Sequence, residues 1–244
     1  MEFSLLTVVF TLLAYAAGAV FIAGFLAKII KYAKTPSPLK IPTTPAPTTA
    51  PGVAVRLLGD VVLFRNLFKG NKWTWIGGIV FHYAFLLVVI RHFRYFTYPV
   101  GGWTMSMQDA GIYAGFLLPV AVLYLFMRRT TVDRTVFISS LADYFALALI
   151  FGIAITGLMM KYYVRPFMVD VKGFVYGLVT LNPSKAPADP VFLLHFTLVM
   201  LLLAYFPFSK LMHAGGIFFS PSRNQTDNPR EIRHVNPWSP NPGA

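Results

Sequence analysis

Four of the five histidines lie in two long apolar stretches, and their chemistry stands out from the rest of the sequence. His82 and His92 lie in one stretch, and His195 and His213 lie in another, which reads PVFLLHFTLVMLLLAYFPFSKLMHAGG. Imidazole is a common metal ligand, and polar side chains are costly in lipid, so histidines grouped in this way tend to mark a site. The fifth, His234, lies in a polar tail without a matching histidine.

The two histidines of the second stretch are spaced as if a single helix carried both. The interval from His195 to His213 is about five full turns at ~3.6 residues per turn, which predicts both rings on one face of a continuous helix. Their separation along the axis would be about 27 Å, close to the thickness of a bilayer core. The spacing therefore predicts imidazoles at two membrane depths.

The composition indicates a membrane protein. Of 244 residues, 56% are hydrophobic and only 12% are charged, a balance that fits a polytopic helical protein and not a soluble domain. The net charge of +12 is first a topology signal in such a chain, and no basic run is interleaved with aromatic residues as nucleic-acid binding would require. The chain has no cysteine, which excludes thiolate ligands, iron–sulfur clusters and covalent c-type haem.

Five segments are long and apolar enough to span a bilayer, so the sequence predicts an all-α membrane protein with five transmembrane helices. The predicted spans are residues 4–30, 75–93, 109–127, 139–160 and 191–211, the last continuing to His213. An odd number of spans places the termini on opposite sides. Most of the 21 Lys and Arg fall on one side, and those on the other are Arg91, Arg94, Lys161, Arg165, Lys172 and Lys185. The positive-inside rule predicts an outer N-terminus and a cytoplasmic C-terminus.

Spans two and five run antiparallel in this topology, so their histidines should meet in pairs. His82 and His213 lie toward the inner side, and His92 and His195 lie toward the outer side. Facing imidazoles at each of two depths form the ligand set of two bis-histidine haems, because imidazole suits iron and haem is held by axial residues from facing helices. Zinc or copper matches less well, because neither pair has a third or fourth protein ligand.

The spacings His82-x9-His92 and His195-x17-His213, with Pro-Phe-Ser-Lys-Leu-Met-His closing the fifth span, resemble the gamma-subunit family of respiratory nitrate reductase. Members of that family are five-helix di-haem cytochromes b that oxidise quinol. The Pro-rich inner loop and compact tail are most similar to the M-subunit branch, which is associated with dissimilatory sulfite reductase. The resemblance covers spans two to five.

The resemblance implies haem b, a quinone and partner subunits. His92 and His195 would ligate the iron of an outer haem, and His82 and His213 that of an inner haem. Quinol would bind near the outer haem, and electrons would pass inward to a cytoplasmic iron–sulfur subunit. The chain would then be one multi-pass subunit of a quinol-oxidising or quinone-reducing complex, with further membrane subunits, in a prokaryotic cytoplasmic membrane. Sulfur or anaerobic respiratory metabolism is the expected setting.

Two arginines beside His92 are candidate cofactor-binding residues. Arg91 and Arg94 could pair with haem propionates or a quinone oxygen, or they could place their charges at the membrane interface. The nitrate reductase relatives have a quinol-site lysine in the outer loop after span two, whereas residues 95–127 of this chain contain no Lys or Arg. We therefore expect the quinone pocket to be built differently here.

The remaining regions divide into an inner loop and a tail. Residues 1–214 are predicted to form the transmembrane domain, including a cytoplasmic Pro-rich loop at 31–74, and residues 215–244 form a cytoplasmic tail. Residues 53–69 have the apolar spacing of an interfacial amphipathic helix. Residues 174–181 are expected to lie at the surface without crossing. The tail lacks an apolar period and is expected to be disordered or extended on its own; with the loop it would dock the iron–sulfur subunit.

Two features of span four each allow two interpretations, and a proline in span five predicts a kink. Asp143 could relay protons, but Ser140-x-x-Asp143 is the spacing of a helix capping box, which we favour. Gly152 and Gly157 could admit a porphyrin face or allow close helix packing. Pro207 should kink the fifth span near its inner end.

Three other functions could use the same histidines. A transporter or channel would pass protons or metal ions along them. A haem-free membrane anchor would use them for packing. A haem-delivery or haem-storage protein would bind haem without reacting with quinol. Haem absorbance and quinol-dependent reduction separate these alternatives.

Overall fold

The computed structural model describes residues 4–37, 42, 45–228 and 230–231, so His234 lies outside the described residues. Within these ranges the chain forms helices joined by turns and short extended linkers, without a β-strand, and the predicted all-α class is confirmed. The α-helices in chain order are α1 (Leu5–Lys34), α2 (Ala50–Val62), α3 (Arg65–Gly70), α4 (Lys72–His92), α5 (Gly102–Ser106), α6 (Gln108–Thr131), α7 (Asp133–Phe137), α8 (Leu141–Met159), α9 (Met168–Val179), α10 (Pro190–Tyr205), α11 (His213–Gly216) and α12 (Pro221–Asn224).

Among the described residues, five helical segments are long and apolar enough to cross a membrane, as the sequence predicts. They are Leu5–Lys34, Lys72–Tyr95, Gln108–Thr131, Leu141–Val164 and Pro190–Phe208. Such segments become helices in lipid because a helix satisfies nearly all of its backbone N–H and C=O groups internally. The shortest has 19 residues, which is about 28 Å of helix at ~1.5 Å per residue and still matches a bilayer core.

The chain separates into two compact units, each described by itself. The first contains residues up to Ile22 together with Trp73–Phe206, and the second contains Ala23–Lys72 together with the chain from Pro207 onward. In the first unit, small and branched side chains of α4, α6 and α8 form one buried cluster. Its members are Ala84, Ala114, Leu118, Val122, Ile150 and Ala154. The alanines let the three helix backbones approach closely.

A second buried cluster in the first unit joins the first half of α1 to α9 and α10. Its buried members are Ala17, Val171, Phe174, Leu178, Ala186, Phe192, Phe196 and Met200. The Thr7 hydroxyl accepts the Ala186 N–H at 3.1 Å, and the Tyr15 hydroxyl donates to the Leu178 carbonyl at 3.2 Å. The expectation that residues 174–181 do not cross is confirmed, because α9 has only 12 residues and is not a candidate span. The Phe174 ring, however, is fully buried.

In the second unit, the predicted amphipathic segment forms two helices. The Thr49 side chain caps α2 by accepting the Gly52 N–H at 3.3 Å, and a proline follows in the first turn, where its missing N–H costs nothing. The helix stops before Phe64, whose φ of 50° is left-handed, and α3 begins at the next residue. The helical prediction for residues 53–69 is confirmed with this break.

The first part of the tail is ordered against α2, so the expectation that it is disordered or extended on its own is wrong there. Buried Asp60 accepts hydrogen bonds from Arg223 Nη1 at 2.8 Å and from Asn66 Nδ2 at 2.7 Å. Arg56 Nη2 donates to the Ser222 carbonyl at 3.4 Å. These hydrogen bonds hold α12 in place through polar groups. The absence of an apolar period in the tail sequence therefore did not predict disorder correctly. The proposed boundary at residue 214 stays a prediction.

The fifth span does not continue as one helix to His213, contrary to the sequence prediction. α10 ends at Tyr205, a short 3₁₀ turn contains Pro207, and Ser209 is extended with φ −118° and ψ 175°. Proline lacks an N–H and crowds the preceding turn, while the Ser209 hydroxyl caps the next short helix. The predicted kink is thus a complete break, and the count of five turns does not connect His195 with His213.

The start of α8 follows the capping interpretation. The Ser140 N–H donates to Asp143 Oδ2 at 2.9 Å, and Arg129 Nη1 lies 3.5 Å from the same oxygen. The buried carboxylate thus caps the helix and is paired with a cation. α8 continues into a π-helical turn at Met160–Val164, which ends where Arg165 adopts a left-handed φ of 50°.

Gly111 lies where α6 packs on α4, and its substitution tests this packing. A methyl group on Gly111 would lie 2.7 Å from Arg91 Cβ and 3.1 Å from the Leu87 carbonyl oxygen. We expect Gly111→Ala to destabilise the detergent-solubilised protein by about 1–3 kcal/mol, because α4 must shift. The measurement is the midpoint temperature of unfolding. Gly115→Ala is the matched control, because its methyl group meets only Leu158 Cδ2 at 4.0 Å. Equal midpoints for the two variants would contradict this packing.

The hydrogen bonds that Arg223 and Asn66 donate to Asp60, here called the Asp60 network, can be tested by their effect on the tail. We expect Asp60→Asn to weaken the second unit by about 2 kcal/mol, because Arg223 loses its charged partner and one carboxylate acceptor is replaced by a donor. Limited proteolysis should then cleave the chain between α11 and residue 231 faster than in the unmodified protein. Asp133→Asn, at an exposed position, is the control and should leave the cleavage rate unchanged. The same rate in both variants would count against the network.

Candidate functional site

The structure brings His92 of α4 and His195 of α10 together inside the first unit. Their ring centroids are 6.4 Å apart, and their ring planes are inclined by only 13°. Both histidines lie in candidate membrane spans, His92 in Lys72–Tyr95 and His195 in Pro190–Phe208. The two rings therefore lie close together with nearly parallel planes.

His92 is oriented by its own helix. Its Nδ1 lies 2.6 Å from the Val88 carbonyl oxygen, one turn earlier in α4. A carbonyl can only accept, so Nδ1 carries the proton and donates it, and the lone pair of the neutral ring is on Nε2. A histidine that ligates a metal commonly has its other ring nitrogen hydrogen-bonded in this way.

His195 is oriented by a side chain of the neighbouring helix α8. Its Nδ1 lies 2.9 Å from the Thr156 hydroxyl, and that hydroxyl lies 2.8 Å from the Gly152 carbonyl oxygen. Because the hydroxyl has one proton, which it donates to the carbonyl, it accepts from His195 Nδ1–H. The lone pair of this ring is therefore also on Nε2. The sequence does not single out Thr156, since a threonine on an apolar helix is usually a packing residue.

A glycine makes room for the His195 ring. A methyl group on Gly157 would lie 3.4 Å from His195 Cε1, whereas one on Gly152 would meet only Leu198 Cδ1 at 3.5 Å. Of the two interpretations given to these glycines, close packing describes both positions, and at Gly157 the packing partner is the candidate ligand itself.

The other two histidines show the same Nδ1 arrangement within their own units. His82 Nδ1 lies 2.7 Å from the Gly78 carbonyl oxygen in the first unit, and His213 Nδ1 lies 2.8 Å from the Lys210 carbonyl oxygen in the second. Each of these bonds again assigns the proton to Nδ1 and the lone pair to Nε2. Their pairing remains a prediction, since the two residues belong to different units.

The distance between His92 and His195 fits one metal ion held between two imidazoles. A ligating nitrogen lies about 2.0–2.1 Å from the metal and roughly 1.1 Å from its own ring centroid, so opposed rings have centroids about 6.3 Å apart. The observed separation is 6.4 Å. In the part of the chain that the structure describes, no three His, Asp or Glu side chains could share a metal ion. Two protein ligands suit haem, whose macrocycle supplies the other four, better than a zinc cage.

Arg91 has a buried polar atom that suits an anionic group. Its Nε is buried and has no hydrogen-bond partner among the described residues. The side chain lies against Gly111 and directly precedes His92 in sequence. A buried guanidinium donor without an acceptor costs roughly 1–3 kcal/mol or more. A propionate or a quinone oxygen would supply the acceptor.

Arg94 is directed elsewhere. Its Nη1 donates to Gln108 Oε1 at 3.1 Å, and Gln108 Nε2 donates to the Thr104 carbonyl at 3.0 Å. Its guanidinium carbon also lies 5.0 Å from the centre of the Tyr95 ring. This chain of contacts fixes Arg94 at the start of α6, so the two arginines have different surroundings. No local pattern in the sequence marks Gln108 for this contact.

Two apolar cavities open on the first unit. One, of about 500 Å³, lies between α4 and α6 and includes Tyr83, Leu87 and Tyr113. The other, of about 480 Å³, lies between α6 and the end of α8 and includes Met159 and Tyr162. Both volumes fall in the range of small-molecule sites, and their walls suit an apolar ligand.

Comparisons with known proteins agree with this picture of the helices. Residues 66–229 match the family model described as nitrate reductase gamma subunit, and this range contains all four histidines of the two predicted pairs. The chain is 37% identical to a protein of Archaeoglobus fulgidus over 93% of its own length and 82% of that protein. It is 33% identical to one of Archaeoglobus profundus over 96% of its length and 83% of that protein. Both relatives are described as Hdr-like menaquinol oxidoreductase cytochrome b-like subunits.

Proposed function

We propose, because the chain belongs to the nitrate reductase gamma subunit family, that it is a membrane-anchored di-haem b subunit for electron transfer. It exchanges electrons between the quinone pool and a cytoplasmic iron–sulfur partner. The names of the two relatives support menaquinol as the quinone species and a larger oxidoreductase as the assembly. Sulfur or anaerobic respiratory metabolism remains the expected setting.

The observation that carries this proposal is the near-parallel pair of His92 and His195. The two rings are 6.4 Å apart, and both present their lone pairs on Nε2. In the proposed site they would hold the outer haem b. A bound haem supplies one-electron chemistry, and the protein sets its ligands, its burial and the charges around it.

The inner haem is assigned to His82 and His213. The support for this assignment is the resemblance, the position of both residues inside the family match and the shared Nδ1-to-carbonyl bond. The carbonyl bonds fix the tautomer that iron ligation requires. Two haems at two depths would divide the bilayer into two shorter steps for the electron.

Arg91 and Arg94 are proposed to bind the anionic or oxygen-bearing groups of the outer site. The unpartnered Nε of Arg91 suits a haem propionate or a quinone oxygen. Arg94 donates from Nη1 to Gln108 and would bind such a group through its other guanidinium N–H donors. The apolar cavity between α4 and α6 is a candidate place for the quinone ring or tail.

The proposed topology places the N-terminus outside and the loop and tail in the cytoplasm. The excess of Lys and Arg in the inner segments supports this orientation. Quinol oxidation at the outer face would release protons outside while electrons move inward, so charge would be separated across the membrane. The second unit, with α2, α3 and α12, would meet the iron–sulfur subunit.

Replacement of the four histidines tests the haem assignment. We expect the purified chain to bind two b-type haems, and each single His→Ala change at His82, His92, His195 or His213 to remove one of them. The measurement is the dithionite-reduced minus oxidised spectrum, with haem counted per chain. His234→Ala is the matched control and should retain both haems.

The alternatives predict different spectra. A transporter or haem-free anchor would show no haem absorbance in the unmodified chain. A haem-delivery or haem-storage protein would bind haem but would not be reduced by a menaquinol analogue. Loss of haem from changes at only one pair would indicate a mono-haem protein and would overturn the inner assignment.

Arg91 tests the charge around the outer haem. We expect Arg91→Gln to lower the midpoint potential of that haem, because removing a nearby positive charge favours the ferric form. If the loss of this charge changes the equilibrium constant between ferric and ferrous haem tenfold, the midpoint potential falls by about 59 mV, as for any one-electron couple. The measurement is a spectroscopic redox titration. Arg165→Gln, at an exposed position after α8, is the control and should leave both potentials unchanged. Equal potentials in Arg91→Gln and the unmodified protein would contradict the assignment.

A further inference from the structure

His195 differs from the other three histidines in its hydrogen-bond acceptor. The Nδ1 atoms of His82, His92 and His213 lie against backbone carbonyls at 2.6–2.8 Å. The Nδ1 of His195 lies against the Thr156 hydroxyl at 2.9 Å. A carbonyl acceptor comes from the helix backbone whatever the residue type, whereas the hydroxyl depends on one side chain.

The Thr156 hydroxyl is held in place by its own helix. It lies 2.8 Å from the Gly152 carbonyl and 3.1 Å from the Ile153 carbonyl, both in the preceding turn of α8. The residue is buried, at 6% exposure. Its proton is committed to the preceding turn, so its lone pairs face outward as an acceptor. The hydroxyl therefore specifies both the tautomer and the plane of the neighbouring imidazole.

We propose that Thr156 is a positioning residue that acts through His195 to set the redox potential of the outer haem. This inference rests on the proposed function, because it concerns the haem that His92 and His195 would hold. A hydroxyl is a weaker acceptor than a backbone carbonyl, so it withdraws the Nδ1 proton less and leaves His195 less basic than His92. A haem held by these two residues would thus have one stronger and one weaker imidazole donor.

Removing the Thr156 hydroxyl should make His195 a still weaker electron donor to the haem iron. Thr156→Val keeps the branched shape but removes the hydroxyl that lies 2.9 Å from His195 Nδ1. A less basic imidazole favours ferric iron less, so the midpoint potential of the outer haem should rise. Changes in the partners of metal-bound histidines typically cost about 10–100-fold in metal affinity. A tenfold loss confined to the ferric form corresponds to a rise of about 59 mV.

The experiment is a redox titration of the full-length, haem-loaded protein, together with the low-spin ferric EPR spectrum, which reports the angle between the axial ring planes. We expect Thr156→Val to raise the outer-haem potential and alter its EPR signal, and Thr156→Ser to restore both. Thr197→Val is the matched control: Thr197 lies in the same helix as His195, is exposed, and donates only to the Leu193 carbonyl. It should change neither readout.

The outcomes separate this inference from the proposed function. If the unmodified protein binds no haem, the proposed function fails. If it binds two haems and Thr156→Val leaves the potential and EPR signal unchanged, the role of Thr156 is overturned while the proposed function stands. The nearby Ile153 carbonyl would then have replaced the hydroxyl as acceptor. A fall in potential, or a serine variant that behaves like valine, would also overturn it.

Discussion

The candidate site depends on a hydrogen bond that each of the four histidines makes from Nδ1–H to an acceptor within its own unit. Lipid offers no acceptor, so an imidazole on a membrane helix must satisfy its N–H within the protein. His82 and His92 use a backbone carbonyl of the preceding turn, and His195 uses Thr156. His213 lies beyond the last candidate span, is exposed and uses the Lys210 carbonyl. Each bond also decides which nitrogen carries the lone pair. The same hydrogen bond therefore satisfies the Nδ1–H donor and leaves the lone pair of Nε2 available to a metal ion.

Close backbone approach is the second requirement of the site. Helices that carry facing histidines must come near enough for a single group to bridge the rings, and large side chains at the crossings would keep them apart. Ala84, Ala114 and Ala154 lie in the cluster that joins α4, α6 and α8. Gly157 gives the His195 ring its space, and Gly111 does the same for Arg91. Small residues thus bring the polar groups of this otherwise apolar unit together.

The lengths of the apolar segments and their helical periodicity made much of the fold predictable from the sequence. Single polar contacts between residues distant in sequence were not predictable in this way. The five spans and the α8 capping box were predictable because each has a local signature. The break before His213 was only partly predictable. Pro207 indicates a kink, but the complete break also depends on Ser209, which is extended and caps the next short helix. Thr156 and the Asp60–Arg223 pair carry no local signature, since their partners are distant in sequence.

The geometry of the outer pair also argues against metal transport along the histidines. A transport path needs ligands that exchange, so its imidazoles should be able to rotate or change protonation as the ion moves. Here His92 and His195 each have Nδ1 committed to an acceptor of the protein, and the two planes are inclined by 13°. Rotating either ring would break a hydrogen bond that lipid cannot replace. Rings fixed in this way suit a resident group with two axial positions, and electron transfer through such a group requires no movement of its ligands.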